Sequence, residues 1–169
     1  FTEQDEQIAK PRAMLTTRAC RWATEQVRRE HASIAGLARQ LATTWRTVWT
    51  SIEPILARAA ADESRFTGVT TLGVDEHLWH HVSPRKRGPK ELTGMVDLTR
   101  DKDGRVHARL LDLVPGRSGT VYKTWLDQRG KTFKQRVEVA TLDPFRGYKN
   151  AIDDKLADAT AVLDAFHVV

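Results

Sequence analysis

Apolar residues recur at helical spacing through the first third of the chain and at strand alternation through most of the rest. Residues 1–15 are polar and read as a short helix or arm interrupted at Pro11. From about Thr17 to Glu30, Ala19, Trp22, Ala23 and Val27 form one stripe, while Arg18, Arg21, Arg28 and Arg29 face outward. Ser33 is placed to cap a short helix with Ile34, Leu37, Ala38 and Leu41 inside. Thr43 or Thr44 caps another, with Trp45, Val48, Trp49 and Ile52 inside, and Pro54 ends or kinks it at Glu53. Residues 57–61 extend a helical stalk.

Residues 62–68 read as a linker, after which the period changes. The order predicted from Val69 is strand, strand, strand, helix, strand, helix, strand. The strands run over Val69–Val82, Leu92–Leu98, Val106–Val114, Val137–Asp143 and Ala159–Leu163, with a hairpin turn at Asp101–Gly104. Ser118 caps a helix carrying Val121, Trp125 and Leu126, which Gly130 stops. Asp143 and Pro144 suit the N-cap and first position of a last helix that buries Phe145, Tyr148, Ile152 and Leu156. Three antiparallel strands followed by alternating helices and parallel strands are the layout of the ribonuclease H-like fold. The expected class is α+β / α/β: an all-α helix-turn-helix region at 1–61, the linker at 62–68, and a partial ribonuclease H-like mixed sheet with flanking helices at 69–169.

Composition narrows the function classes. A 169-residue chain that is 40% hydrophobic and 29% charged is globular rather than disordered. No apolar run reaches the roughly 20 residues that cross a bilayer. The single cysteine, Cys20, excludes an intrachain disulfide and cysteine-rich zinc sites, as suits a reducing cytoplasm. A net charge of +5 favours a polyanionic partner. Arg85, Lys86, Arg87 and Lys90 crowd into one loop, either a solvated turn or a phosphate contact. A start at Phe1 and an apolar end at Phe166–Val169 are expected of a fragment.

Two short helices across a tight turn, preceded by a third, describe a helix-turn-helix; the same spacing also fits an ordinary three-helix bundle with solvated arginines. In the first reading the second short helix enters the major groove with Thr44, Arg46, Thr47, Thr50 and Ser51 exposed. Arg46 would grip guanine through two hydrogen bonds, worth about 1–3 kcal/mol of discrimination. The hydroxyls and Arg39 would hold phosphates. Ala42 stands where such turns often have glycine.

Asp75 lies in mid-strand, on a face with Gly73 and His77, and Asp143 ends the fourth strand. Neighbouring first and fourth strands would bring these acids together. Two carboxylates about 4 Å apart repel by roughly 1 kcal/mol in water and about 4 kcal/mol at an effective dielectric of 20, a repulsion that a divalent cation turns into binding. Mg²⁺ or Mn²⁺ suits such oxygen ligands, and a pair of ions can activate a nucleophile and stabilise the leaving oxygen in phosphoryl transfer. On spacing alone, the simpler reading is Asp143 as a plain helix cap and Asp75 in a salt bridge. His77, His80 and His81 admit a zinc reading or one as sheet and DNA-facing residues. Trp45, Trp49 and Trp125 are expected in the core.

The stretches Leu72-Gly73-Val74-Asp75-Glu76-His77, Thr141-Leu142-Asp143-Pro144-Phe145-Arg146-Gly147-Tyr148 and 162–169, with the preceding helix-turn-helix and the Phe1-Thr2-Glu3 opening, resemble bacterial insertion-sequence transposases of the ISL-three family. The resemblance implies a DDE-type transposase performing metal-dependent cleavage and strand transfer of an insertion sequence. Asp75 and Asp143 match its first two acids as catalytic and metal-binding residues, and Glu76 would support the site. No glutamate follows Asp143, and Asp153, Asp154 and Asp158 follow too closely to be the third acid. A truncated transposase, inactive alone, is therefore expected, with an incomplete two-metal Mg²⁺ or Mn²⁺ site. The implied partners are double-stranded DNA (element terminal repeats and target DNA) and a second copy in a synaptic homodimer; the implied location is the bacterial cytoplasm at the nucleoid. The alternative is a helix-turn-helix transcriptional regulator with an α/β sensing domain and no catalysis.

Overall fold

The computed structural model describes residue 5 and residues 7–79 and 88–164. The chain divides into two compact units, 1–62 and 63–169.

The first unit is helical: α1 (Thr17–Glu30), α2 (Ile34–Gln40) and α3 (Trp45–Ala60). Each begins at a hydroxyl cap, with Thr16, Ser33 and Thr44 accepting from Ala19, Gly36 and Thr47 backbone N–H groups. Ala23, Leu37, Ala38, Val48 and Ile52 make the core. Residues 7–16 form turns rather than a helix, tied to α1 by the Thr17 N–H donating to the Ile8 carbonyl (2.8 Å).

Three expectations for this unit are corrected. Trp22 is 38% exposed, and Thr24 is buried beside Ala23 with its hydroxyl donating to the Cys20 carbonyl. Trp45, expected inside, is 51% exposed; its ring stacks on Trp49 at 5.9 Å, because Val48 and Ile52 already fill the inner face. Pro54 does not end α3. The helix continues to Ala60 despite the missing N–H, because the added turns pack Leu56 against the core. The turn between α2 and α3 is made by Ala42 itself at φ 49°, the left-handed conformation that glycine adopts more readily.

The second unit begins with a 3-10 turn, Glu63–Phe66, inside the stretch expected to be a linker, and Phe66 is buried in the core. Five strands follow in the spatial order β3-β2-β1-β4-β5: β1 (Thr71–Leu78), β2 (Glu91–Asp97), β3 (Arg109–Pro115), β4 (Val139–Leu142) and β5 (Thr160–Leu163). The first three pair antiparallel; β1–β4 and β4–β5 pair parallel, giving the mixed sheet of a ribonuclease H-like fold. Helices α4 (Gly119–Gln128) and α6 (Arg146–Lys155) pack against each other, and buried Tyr122, Trp125, Leu126, Tyr148 and Ile152 join Leu72, Val74 and Met95 in the core.

The sequence pattern missed α5 (Gly130–Arg136). Gly130, at φ 74°, ends α4, but the chain re-enters a helix at once. The gain is Phe133, which meets Phe66 and Trp125 edge-on at 6.0 and 5.8 Å. Tyr122 replaces Val121 as the buried residue of α4. Asp143 does not cap α6: Phe145 occupies the N-cap, and the Asp143 Oδ1 accepts from the Phe145 N–H two residues on.

Helices α4 and α6 touch backbone to backbone. A Cβ at Gly119 would run into the Gly147 carbonyl, and one at Gly147 into the Phe145 ring. Gly119→Ala should therefore destabilise the protein by about 1–3 kcal/mol in urea melts. Ala42→Gly should act oppositely, relieving the left-handed alanine for a net gain of about 0.5–1 kcal/mol in the same measurement.

Candidate functional site

The parallel register of β1 and β4 ends on the pair Val74↔Leu142. Asp75 and Asp143 are the next residues on their strands, and neighbouring strands lie about 4.8 Å apart. Each acid thus follows directly on the last pair of the β1–β4 register. Leu72 and Val74 point into the core, so alternation turns Asp75 to the opposite face with Gly73; Asp143 lies one past Leu142, just beyond the end of β4. Leu142 pairs in turn with Leu163, and the Asp164 N–H donates to the Leu142 carbonyl (2.8 Å), so Asp164 continues this row across β5.

The two acids differ in surroundings. Asp75 is exposed, and its Oδ1 accepts from the Glu76 N–H at 2.7 Å. Asp143 is only 6% exposed. Both act on one phenol, Tyr148. Burial pushes the Tyr148 hydroxyl above its ordinary value; the Thr93 hydrogen bond opposes this, Asp143 adds to it, Arg117 opposes it and Asp75 adds to it. Thr93 Oγ1 lies 2.7 Å from the Gly116 carbonyl and 3.1 Å from the Tyr148 hydroxyl.

Glu76 pairs across the sheet with Thr93, on the helix side, and forms an ion pair with Arg117. The Arg117 guanidinium also lies over the Phe145 ring at 4.9 Å. Sequence reading passed over Arg117. Its one signal was position: a cation just before a helix N-terminus is disfavoured by the helix dipole, so an acid partner is needed.

The DNA-facing candidates lie on the first unit's surface. Arg39, Thr44, Arg46 and Thr50 are exposed and Thr47 is half-buried. The Thr44 hydroxyl is occupied as the α3 cap, and Thr50 donates to the Arg46 carbonyl (2.8 Å). These hydroxyls therefore serve the helix first. Lys90 is exposed, with its carbonyl accepting from Trp79 N–H. Arg85, Lys86, Arg87, His80 and His81 lie outside the described residues. Among the described residues no three His, Cys, Asp or Glu side chains gather as a metal-binding group, and no helix is long and apolar enough to cross a membrane.

The sequence holds two tyrosines, Tyr122 and Tyr148, and burial raises both above the ordinary value of 10.0. A raised folded-state value means stability that is complete below the unfolded value and lost as pH rises through the folded one. Tyrosinate absorbance should therefore rise at higher pH in the folded protein than in the same protein unfolded in urea.

A family model for DDE transposases of ISL-three elements, described as a transposase, matches residues 72–169, more than half of the chain. Solved structures similar to it include the Mos1 strand transfer complex, at 13% identity over 95% of this chain and 60% of that one, with a TM-score of 0.29. The Mos1 transposase paired-end complex with the left transposon end gives 14% over 95% and 61%, TM-score 0.29. The mariner Mos1 paired-end complex with Mg gives 15% over 95% and 61%, TM-score 0.26. The chain spans about 60% of the length of these transposases. No curated protein matches it. The family match over the residues that hold Asp75 and Asp143 leads to one conclusion: the chain belongs to the ISL-three family of DDE transposases.

Proposed function

We propose that this chain carries the first two carboxylates of a metal-dependent DNA-cleaving and strand-transferring site, together with a helix-turn-helix that recognises DNA. The observation that supports the first part is the Val74↔Leu142 register, the last pair before Asp75 and Asp143 on adjacent strands. Two hard oxygen ligands from adjacent strands fit Mg²⁺ or Mn²⁺. Such an ion, held by Asp75 and Asp143, would supply Lewis-acid stabilisation of charge on the phosphoryl oxygens.

The chain's own residues prepare that position. The Phe145 N–H fixes Asp143 through a charge-assisted hydrogen bond. The sheet holds the Asp75 backbone through its antiparallel partner Gly94, one residue past the last pair with β4. Glu76 is engaged with Arg117 on the helix side, which leaves the acid work to Asp75 and makes Glu76 a support. Family membership supports this reading over a ligand-sensing regulator. The activity proposed is that of the full-length transposase acting on double-stranded DNA as a synaptic dimer; a third acid from beyond the carboxylate pair would complete the site.

Recognition is assigned to α3, with Arg46 as the base-reading side chain and Arg39, Thr44, Thr47 and Thr50 beside it. The cluster Arg85, Lys86, Arg87 and Lys90 is assigned to the DNA backbone.

Calorimetry with Mn²⁺ tests the carboxylate pair. Asp75→Asn and Asp143→Asn should each weaken binding by about tenfold or more, since even residues that only support a metal ligand are worth 10–100-fold. Wild-type affinity in both variants would overturn the site. For α3, Arg46→Ala should narrow the affinity gap between cognate and scrambled duplexes by about 1–3 kcal/mol in competition binding. An unchanged gap would remove Arg46 from base reading.

A further inference from the structure

A groove of about 720 Å³ runs between the segment 10–15, α1 and α3. Its walls carry Lys10, Arg12, Arg21, Arg28, Arg46 and Arg58, against one acid, Glu25. That acid is already engaged by Arg28 and Arg29, at 3.5 and 2.7 Å. Among the described residues, Lys10, Arg12, Arg21, Arg46 and Arg58 have no carboxylate within ion-pair distance. The second unit differs: Arg65, Arg109, Arg117, Lys123, Arg129 and Lys155 all meet acids there. Convergent cations without acids repel one another, so the groove is built to be neutralised from outside. Its lining also includes Thr24, Ser51, Ile55 and Cys20.

The groove is continuous with the face of α3 that carries Arg46, Thr47 and Thr50, since all three line it. We propose that it seats one strand of a DNA backbone, with Lys10, Arg12, Arg21 and Arg28 holding phosphates beside the bases that Arg46 reads. This assignment rests on the reading of α3 as the recognition helix. It adds α1 and the preceding segment to the binding surface of α3. An open, cation-lined groove suits a chain of phosphodiesters, whose charges repeat along its length. Pro11 and the Thr17–Ile8 hydrogen bond hold the segment's shape, so its cations are presented before DNA arrives.

The test uses the whole chain and duplex DNA. Lys10→Ala/Arg12→Ala and Arg21→Gln/Arg28→Gln should weaken binding to cognate and scrambled duplexes alike. Each should lower the slope of log affinity against log salt by about 0.9 for every phosphate that the variant no longer neutralises. Cys20, the sole cysteine and a lining residue, is the second readout: duplex DNA should slow its alkylation, and high salt should restore the rate. If the salt slope is unchanged in both variants and Cys20 reacts equally fast in bound protein, the groove assignment falls. If Arg46→Ala leaves sequence preference intact while the slope drops and Cys20 is shielded, the groove stands and the recognition role of α3 falls instead.

Discussion

The parallel pairing of β1 with β4 is the interaction on which the candidate site depends. Before it forms, Asp75 and Asp143 are remote in the chain, and nothing local brings them together. Once Thr71, Leu72, Gly73 and Val74 lie beside Val139, Ala140, Thr141 and Leu142, the position of both acids is set by backbone hydrogen bonds. A slip by one residue would send one carboxylate to the other face, because side chains alternate along a strand. The buried pair Val74 and Leu142 guards against that slip, since moving either to the open face exposes it to water.

The helices determine the electrostatic setting around the acids. Close approach of Gly119 to Gly147 brings α4 and α6 near enough for Tyr122, Trp125 and Tyr148 to interlock. Tyr148 then reaches Thr93 beneath the sheet, and Arg117 is drawn in by Glu76 and Phe145. The acids follow the last β1–β4 pair, and this polar set lies on the helix side of the sheet. Both sets nevertheless act on the same phenol, the acids raising its value and Arg117 lowering it.

Much of this was legible in the residues. Hydroxyl caps at Ser33, Thr44 and Ser118 marked helix starts, and alternation around Asp75 marked β1. The neighbour relation of β1 and β4 followed from the predicted element order. The failures were tertiary. Gly130 carries a stop signal that the aromatic cluster around Phe133 overrides, and Pro54 carries one that burial of Leu56 overrides. Trp45 has the composition of a core residue but stands at a rim where smaller side chains have already closed the interior. The groove of the first unit left no periodic trace, because its cations come from three separate segments.

Pro54 also divides α3 mechanically. Without its N–H, the Thr50 carbonyl lacks the usual rung, and helical cooperativity is interrupted at that point. Unwinding that starts at Ala61 has a natural place to stop. The turns beyond Pro54 are therefore held by Leu56 against the core, whereas the half bearing Arg46 is held by its own backbone ladder as well.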